Sequence, residues 1–230
     1  MTKYYQSGIP GFDALIGEEG LGISEDSVAL IYGPPKVGKS IFCYQFMYNG
    51  LQQSEPCLYI TADYGIKQLQ QRTMDFNWFL QSHIQNQNLY IIDLISKLSG
   101  AKLEESATYK ISSLQNPTDM MVKVGIGTRF LFQKSPKFRS ILDSLTTQFA
   151  FNPENLVLRV LKSYIERIKE ANGVALITHT QGTVDHQTEE ILGDLVDFAV
   201  GMDGKNIYIS SEDHSSEAEY EINDQGINIF

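Results

Sequence analysis

One short segment constrains this chain more than any other: Gly33-Pro34-Pro35-Lys36-Val37-Gly38-Lys39-Ser40 matches the pattern G-x-x-x-x-G-K-[ST]. The apolar run Ser27–Tyr32 precedes it and a helical pattern over Lys39–Leu51 follows it, which is the context that the pattern requires. Glycines let successive backbone N–H groups converge on one concavity, and the helix N-terminus adds partial positive charge. The segment predicts a phosphate-binding loop for a nucleotide; the alternative is an ordinary Gly-Pro turn between a strand and a helix.

Two side chains around this loop are expected to hold Mg²⁺. The Ser40 hydroxyl is one, and the other should be a carboxylate that ends a neighbouring apolar strand, as Asp143 does after Ser140-Ile141-Leu142. The alternative for Asp143 is an N-cap of the turn that follows. Lys39 is expected to reach the β- and γ-phosphates. The predicted nucleotide-binding residues are Gly33, Pro34, Pro35, Lys36, Val37, Gly38, Lys39, Ser40 and Ile41.

The rest of the chain alternates short apolar runs with longer amphipathic stretches, which predicts a doubly wound α/β sheet, mostly parallel and flanked by helices. Further predicted strands are Cys57–Thr61, Leu89–Asp93, Ser140–Asp143 and Val174–Thr178, and further helices are Ile66–Phe76, Thr118–Gln133 and Pro153–Ala171. The polar segment Leu94–Gln115 is expected to leave the sheet. No linker divides the chain, so residues 1–230 are expected to form a single domain.

Beyond about residue 195 the pattern changes to short strands separated by turn residues, which predicts an antiparallel extension of the sheet. Asp203-Gly204 is a two-residue hairpin signal, and Asp224-Gln225-Gly226 is a slightly longer turn. The predicted strands are Leu195–Met202, Asn206–Ser211, Ala218–Ile222 and Gly226–Phe230.

Composition excludes several classes of protein. The 230 residues are 42% apolar, enough for a globular core, and the net charge of −10 disfavours binding to the phosphate backbone of nucleic acids. The two cysteines, Cys43 and Cys57, are too few for a disulfide framework and are expected in the core of a protein from a reducing compartment. No apolar run approaches the ~18–20 residues that span a membrane, so we expect a cytoplasmic protein.

Several separated segments together resemble one family. The segment Ser7–Gly17 (SGIPGFDALIG) resembles the N-terminal motif of KaiC-like and RadA-like ATPases of the RecA superfamily. The likeness continues, in the family's order, through the phosphate loop and is weakest at Glu18–Glu25 and Leu94–Gln115. It implies a RecA-like core, ATP with Mg²⁺, and subunits that often assemble into rings or filaments, so a homo-oligomer is expected. The other matching segments are Tyr44–Gly50, Cys57–Thr61, Asn116–Asp119, Ile141–Leu145 and Tyr220–Asp224.

The resemblance also identifies departures that bear on catalysis. The family carries two adjacent catalytic carboxylates after its second strand, where this chain has Asp63 and Tyr64. Asp63 is thus the candidate that polarises the attacking water, with one methylene less reach than glutamate. Its alternative role is to cap the helix that begins near Ile66.

A second departure concerns a basic segment that reaches a neighbouring subunit's γ-phosphate in KaiC-like proteins. The matching stretch is Ile207–Asp213, with Ser211 in place of the lysine and Asp213 in place of the second arginine. These residues are alternatively the solvated edge of a hairpin. Thr178 and His179 end the strand Val174–Thr178, where the superfamily often has a polar residue that senses the γ-phosphate. A structural hydrogen-bonding role is equally compatible with the position of His179. The predicted catalytic residues are Lys39, Asp63 and His179.

These observations favour an ATP-binding protein that hydrolyses ATP slowly, because the carboxylate is short and the trans finger is missing. Such a protein would serve as a nucleotide-dependent regulatory or assembly component with a protein partner. The alternative is an active DNA-repair ATPase resembling RadA paralogues, and the net charge counts against it. The intact Lys39-Ser40 pair argues against a scaffold that no longer binds nucleotide.

Overall fold

The structure is a computed structural model, and it describes residues 3–17, 20–98, 100 and 103–230. In chain order, the strands are β1 (Tyr4–Tyr5), β2 (Ile23–Ser24), β3 (Val28–Gly33), β4 (Cys57–Thr61), β5 (Leu89–Asp93), β6 (Tyr109–Ile111), β7 (Arg139–Asp143), β8 (Val174–Thr180), β9 (Phe198–Met202), β10 (Asn206–Ser211), β11 (Ser215–Asn223) and β12 (Gly226–Ile229). The helices are α1 (Phe12–Leu15), α2 (Lys39–Gln52), α3 (Ile66–Met74), α4 (Gln81–Gln85), α5 (Pro117–Lys134), α6 (Leu145–Phe151), α7 (Glu154–Glu170) and α8 (His186–Asp194).

Ten of these strands form one sheet in the order β12-β11-β10-β9-β3-β8-β7-β4-β5-β6. The seven strands from β9 to β6 run parallel, and β10, β11 and β12 continue the sheet antiparallel to their neighbours. The central strands are buried on both faces, since α2 and α3 pack on one side and α5 and α7 on the other. The predicted fold class, with antiparallel C-terminal strands, is confirmed. The extension was predicted to include Leu195–Met202, but the strand found there, β9, pairs in parallel with β3, so the antiparallel part begins at β10.

Most predicted elements agree with the structure to within a few residues, because apolar runs this regular have few alternatives. The segment Leu94–Gln115 was wrongly predicted to leave the sheet: it contains the edge strand β6, which pairs in parallel with β5. Three residues in a polar stretch are too short to give a strand pattern. In the β9–β10 hairpin the two turn residues are Gly204 and Lys205, one position later than predicted, since Asp203 N–H donates to Asn206 O at 3.2 Å. Glu18, Glu19, Ser99, Ala101 and Lys102, from the two weakly matching segments, lie outside the described residues.

The core and the helices agree with two further expectations. Cys43 and Cys57 are both free and fully buried, as expected for core residues. Within the described ranges, no helix is both long and apolar enough to cross a membrane.

One buried amide on α2, that of Gln45, bonds both an N-terminal and a C-terminal segment. Gln45 Nε2 donates to Gly8 O and to Ile227 O at 3.1 Å each, and Gln45 Oε1 accepts from Ile227 N–H at 2.7 Å. Gly8 has a φ of +74°, and a Cβ there would lie 2.3 Å from the Asn49 side chain, so only glycine fits. The N-terminal motif therefore fixes the helix that follows the phosphate loop.

A buried ion pair supports the opposite end of the parallel strands. Arg139 is fully buried at the start of β7, and its Nε and Nη2 donate to Glu55 Oε2 at 2.9 and 2.7 Å. Its remaining donors reach the carbonyl oxygens of Phe46 and Gln6 at 2.7 and 2.8 Å. Gly50 provides the space, since a Cβ there would lie 2.2 Å from Arg139 Nε. Removing one partner would leave an uncompensated buried charge.

We expect Glu55→Ala to destabilise the protein by about 3–5 kcal/mol, the range for breaking a buried ion pair from one side. The free energy of unfolding, measured by urea titration, checks this value. Glu219→Ala is the matched control, because Glu219 pairs at 3.1 Å with Lys205 and its side chain is 65% exposed. The control should change stability by less than about 1 kcal/mol. Equal effects of the two substitutions would contradict the importance of the Arg139 pair.

Candidate nucleotide-binding site

The loop between β3 and α2 has the curled backbone that a phosphate cradle needs. The φ angles of Gly33, Lys36 and Gly38 are +144°, +69° and +104°. Gly38 is the N-cap of α2, and no side chain caps this helix end. The first N–H groups of α2 therefore keep their capacity to bind an anion, and the helix dipole favours negative charge there.

Strands β9 and β11 pack against this loop from the side away from the cavity. Tyr220 on β11 donates its hydroxyl to Val37 O at 2.6 Å and accepts from Gly204 N–H at 3.1 Å. A Cβ on Gly33 would lie 1.9 Å from the Met202 carbonyl oxygen. The C-terminal strands thus restrict the loop to one path, a role that the strand pattern alone did not predict.

Lys39 lies across the loop at the start of α2. Its Nζ donates to Gly33 O at 2.9 Å and to Pro34 O at 2.6 Å. Burial lowers the pKa of the Lys39 ammonium, an effect that the nearby charges of Asp143 and Asp63 oppose. The ammonium is thus held where a bound phosphate would compete with the two carbonyl oxygens for its protons.

Asp143 ends β7 with its carboxylate almost completely buried and surrounded by hydroxyl donors. Ser40 Oγ and Thr178 Oγ1 donate to its Oδ1 at 3.1 and 2.7 Å, and the Tyr59 hydroxyl donates to its Oδ2 at 2.7 Å. Burial raises the pKa of this carboxyl, and the charge of Asp63 raises it further. The N-cap position of α6 belongs to Ser144, so Asp143 is not the cap of that helix.

The donor set around Asp143 fits Mg²⁺. A carboxylate and a serine hydroxyl in direct contact are hard oxygen donors, which this cation prefers, with water and phosphate oxygens completing its shell. The two predicted ligands, Ser40 and Asp143, thus lie together although 103 residues separate them. Among the described residues, no group of three or more His, Cys, Asp or Glu side chains could hold a metal ion by itself.

Asp63 lies at the same cavity, where β4 ends. Its Oδ1 accepts from Ser144 Oγ at 3.0 Å and from the Thr147 hydroxyl. The helix that Asp63 was alternatively expected to cap is held by another carboxylate, because Ile66 N–H donates to Asp93 Oδ2 at 3.1 Å. The geometry therefore agrees with a cavity-facing role for Asp63.

His179 is not brought to the cavity. Successive side chains of a strand point to opposite faces, and on β8 it is Thr178 and Thr180 that line the cavity. His179 points to the other face and is buried there, with Nε2 3.5 Å from Glu189 Oε1. Burial lowers its pKa, and Glu189 acts in the opposite direction. The position fits the structural alternative rather than a phosphate sensor.

The cavity measures about 340 Å³, and the predicted residues contribute to it in two ways. Gly33, Pro34 and Val37 take part through the carbonyl oxygens that bind Lys39 and Tyr220. Side chains that sequence analysis did not assign to the site are Tyr59, Arg72, Ser144 and Thr180. The predicted residues that line the cavity directly are Pro35, Lys36, Gly38, Lys39, Ser40, Ile41, Asp63 and Asp143.

Ser211 and Asp213 lie at the end of the β10–β11 hairpin and are exposed. Ser211 N–H donates to His214 O at 2.8 Å, which closes the hairpin turn. Neither residue lines the cavity of its own chain. Their surroundings match the solvated hairpin edge that was the alternative expectation.

Comparisons with known proteins agree with this geometry. The profile of the KaiC ATPase family matches residues 5–205. A UPF0273 protein of Pyrococcus furiosus is 27% identical over 184 residues, which cover 80% of this chain and 70% of that relative. The circadian clock oscillator protein KaiC of Parathermosynechococcus lividus is 28% identical over 175 residues, which cover 75% of this chain and 30% of that protein. The crystal structure of a KaiC-like protein from Pyrococcus horikoshii OT3 matches the fold over all of both chains, with a TM-score of 0.76 and 19% identity.

We expect Asp143→Asn to stabilise the protein at pH 7.5, without Mg²⁺ and nucleotide. The reason is that a carboxyl with a raised pKa in the folded state disfavours folding when it is ionised, and the amide removes that charge. Ser40 and Thr178 can still donate to Oδ1, and the Tyr59 hydroxyl can turn to accept from the amide. Urea titration of both proteins measures the difference.

Asp143→Ala is the control for this prediction. It removes the same charge but leaves three buried hydroxyls without their acceptor, so it should destabilise the protein by about 1–3 kcal/mol. If Asp143→Asn and Asp143→Ala destabilise the protein equally, the charge of Asp143 does not lower the stability of the nucleotide-free protein.

Proposed function

Because the chain belongs to the KaiC ATPase family, we propose that it binds ATP with Mg²⁺, hydrolyses it slowly and acts as a nucleotide-dependent regulatory or assembly component. The observation that carries the proposal is the contact between Ser40 Oγ and the buried Asp143 carboxylate, at the start of an uncapped α2. A hydroxyl and a carboxylate so arranged beside Lys39 are suited to a metal–triphosphate.

Binding follows from the groups at the loop. Backbone N–H groups of the loop and of the first turn of α2 would bind the phosphate oxygens. Lys39 Nζ, which donates to the carbonyl oxygens of Gly33 and Pro34, would donate to phosphate oxygens instead. Its positive charge would then balance part of the negative charge of the bound phosphates. Ser40 and Asp143 would hold Mg²⁺, which when bound neutralises charge on the β- and γ-phosphates.

The hydrogen bonds and neighbours of Asp63 support slow hydrolysis of ATP. Its Oδ1 is already bonded to the hydroxyls of Ser144 and Thr147, which leaves Oδ2 to accept a proton from water. The neighbouring residue is Tyr64, so no second carboxylate assists. An error of about 1 Å in the position of a general base can cost on the order of a hundredfold in rate. The residues at the finger position, Ser211 and Asp213, cannot donate positive charge to a neighbour's phosphate.

The contact between the phosphate loop and the C-terminal extension supports a regulatory role. Tyr220 and Ile222 on β11 touch the loop at Val37 and Gly38, so a loop that moves on binding phosphate would also shift this strand. A protein partner, or a second copy of the chain, that binds one arrangement better than the other would read the nucleotide state.

The alternative function is that of an active DNA-repair ATPase resembling RadA paralogues. The net charge of −10 disfavours direct contact with DNA. Binding to DNA that weakens steeply with added salt would support this alternative, and the absence of such binding would leave the regulatory proposal in place.

We expect the wild-type chain to bind ATP in the presence of Mg²⁺, and Lys39→Ala to weaken that binding at least about tenfold through the loss of one charge-assisted contact. Isothermal titration calorimetry measures both affinities. Lys162→Ala on α7 is a control of equal charge change, because Lys162 lies on an exposed part of that helix. A wild-type chain that binds no ATP would overturn the proposed function.

A second prediction tests the slow turnover. The wild type should turn over well below ~1 s⁻¹, the low end for ordinary enzymes, and Asp63→Asn should reduce the rate to background. Asp63→Glu, which restores the missing methylene, should raise the rate about tenfold, since general-base geometry limits it. Phosphate release at saturating ATP and Mg²⁺ gives the three rates. Wild-type turnover at or above ~1 s⁻¹, abolished by Asp63→Asn, would refute slow hydrolysis.

A further inference from the structure

Arg72 is a positively charged residue at the cavity that has no role in the phosphate binding proposed above. Arg72 on α3 lines the cavity together with Lys39, Asp63 and Tyr64. Its guanidinium carbon lies 3.8 Å from the centroid of the Tyr64 ring. A planar guanidinium stacked on an aromatic ring keeps its N–H groups at its edge, free to bind a planar or tetrahedral anion.

Arg72, like Lys39, reaches the cavity without a counter-ion among the described residues. Within the described part of the chain, no carboxylate lies within 4 Å of its guanidinium, whereas Arg139 is fully paired with Glu55. The resemblance noted above expects a carboxylate at position 64, which would neutralise the guanidinium. Tyrosine at that position instead supplies an uncharged surface for stacking, so the positive charge of Arg72 remains available.

Through its contact with Tyr64, Arg72 lies on the side of the cavity that carries the carboxylates. Tyr64 follows Asp63, at the end of β4, and β4 is the neighbour of β7, which carries Asp143. In triphosphate sites, the metal-holding and water-facing carboxylates lie beside the β- and γ-phosphates. Arg72 is therefore on the side of the cavity where ATP and ADP differ.

A buried phenol supports this placement. The hydroxyl of Tyr44, one helical turn after Ser40 on α2, is buried and has no hydrogen-bond partner. Burial raises its pKa, the charge of Asp143 raises it further, and the charge of Arg72 opposes both. The charges of Arg72 and Asp143 thus shift the pKa of the same hydroxyl in opposite directions, as expected if both residues border one site.

We propose that Arg72 binds the terminal phosphate of ATP within its own chain, with Tyr64 as the residue that positions the guanidinium, so that the site prefers ATP to ADP. This inference rests on the proposed function, since it assigns a residue to the same site. It gives the chain a cation in cis where the family-like trans finger is absent. Arg72 need not accelerate hydrolysis to do so, because contact with the bound γ-phosphate is sufficient for discrimination.

The test compares the ATP and ADP affinities of the full chain with Mg²⁺ by isothermal titration calorimetry. Arg72→Gln should weaken ATP binding about tenfold, the effect of one charged hydrogen bond at an accessible position. Its ADP affinity should stay within about twofold, because the β-phosphate is held by the loop. Arg72→Lys should lose less, since it keeps the charge without the fork and the stacking. Tyr64→Leu should weaken ATP binding while Arg72 remains, which a purely structural role of Tyr64 would not do selectively for ATP.

Lys67→Gln is the matched control, because Lys67 is exposed on the same helix and lines a different groove. It changes the net charge equally and should leave both affinities unchanged. If the wild type binds ATP and Arg72→Gln binds it equally well, the inference is overturned and the proposed function stands. Equal losses for ATP and ADP in Arg72→Gln would also overturn it. If the wild type binds neither nucleotide, the proposed function fails together with this inference.

Discussion

The buried carboxylate of Asp143 is the interaction on which the geometry of the site depends. Its oxygens accept hydrogen bonds from the hydroxyls of Ser40 on α2, Tyr59 on β4 and Thr178 on β8. These elements are adjacent because the sheet order β3-β8-β7-β4 places their carboxyl ends at one edge. An ionised carboxylate is costly to bury without donors, so the burial of Asp143 requires all three elements to keep their positions. The groups of the proposed cation and phosphate site are thereby already in place without a ligand.

The rest of the fold holds this arrangement from outside. Gln45 on α2 bonds Gly8 O and Ile227 O, near the two ends of the chain. Tyr220 on β11 donates a hydrogen bond to Val37 O in the phosphate loop. At the other end of β7, Arg139 bonds Phe46 O on α2 and Glu55 in the segment that follows this helix. The helix after the loop is therefore fixed along its length, which keeps its N-terminus directed at the cavity. Since α2 and β7 are held together, Ser40 and Asp143 stay in contact.

The balance of charges supports retention of nucleotide rather than rapid turnover. Lys39 and Arg72 bring positive charge to the cavity, whereas Asp63 is a single short carboxylate held by two hydroxyls. Tyr64 connects these features, because it replaces a second carboxylate and stacks on Arg72. One substitution relative to the family pattern thus affects both the water-facing side and the phosphate-facing side of the proposed site.

The sequence by itself determined the fold class, the phosphate loop and the pairing of Ser40 with Asp143, because strand–loop–helix patterns are local and strand ends in a parallel sheet converge. Only the tertiary structure decided which face of β8 meets the cavity, and hence that Thr178 rather than His179 contacts Asp143. It also showed that Asp93, and not Asp63, accepts the N–H of Ile66 at the start of α3, and it placed the Arg72 guanidinium over the Tyr64 ring. These are contacts between side chains whose direction depends on the packing of whole elements. A single sequence contains no local signal for such packing, which is why they could not be predicted.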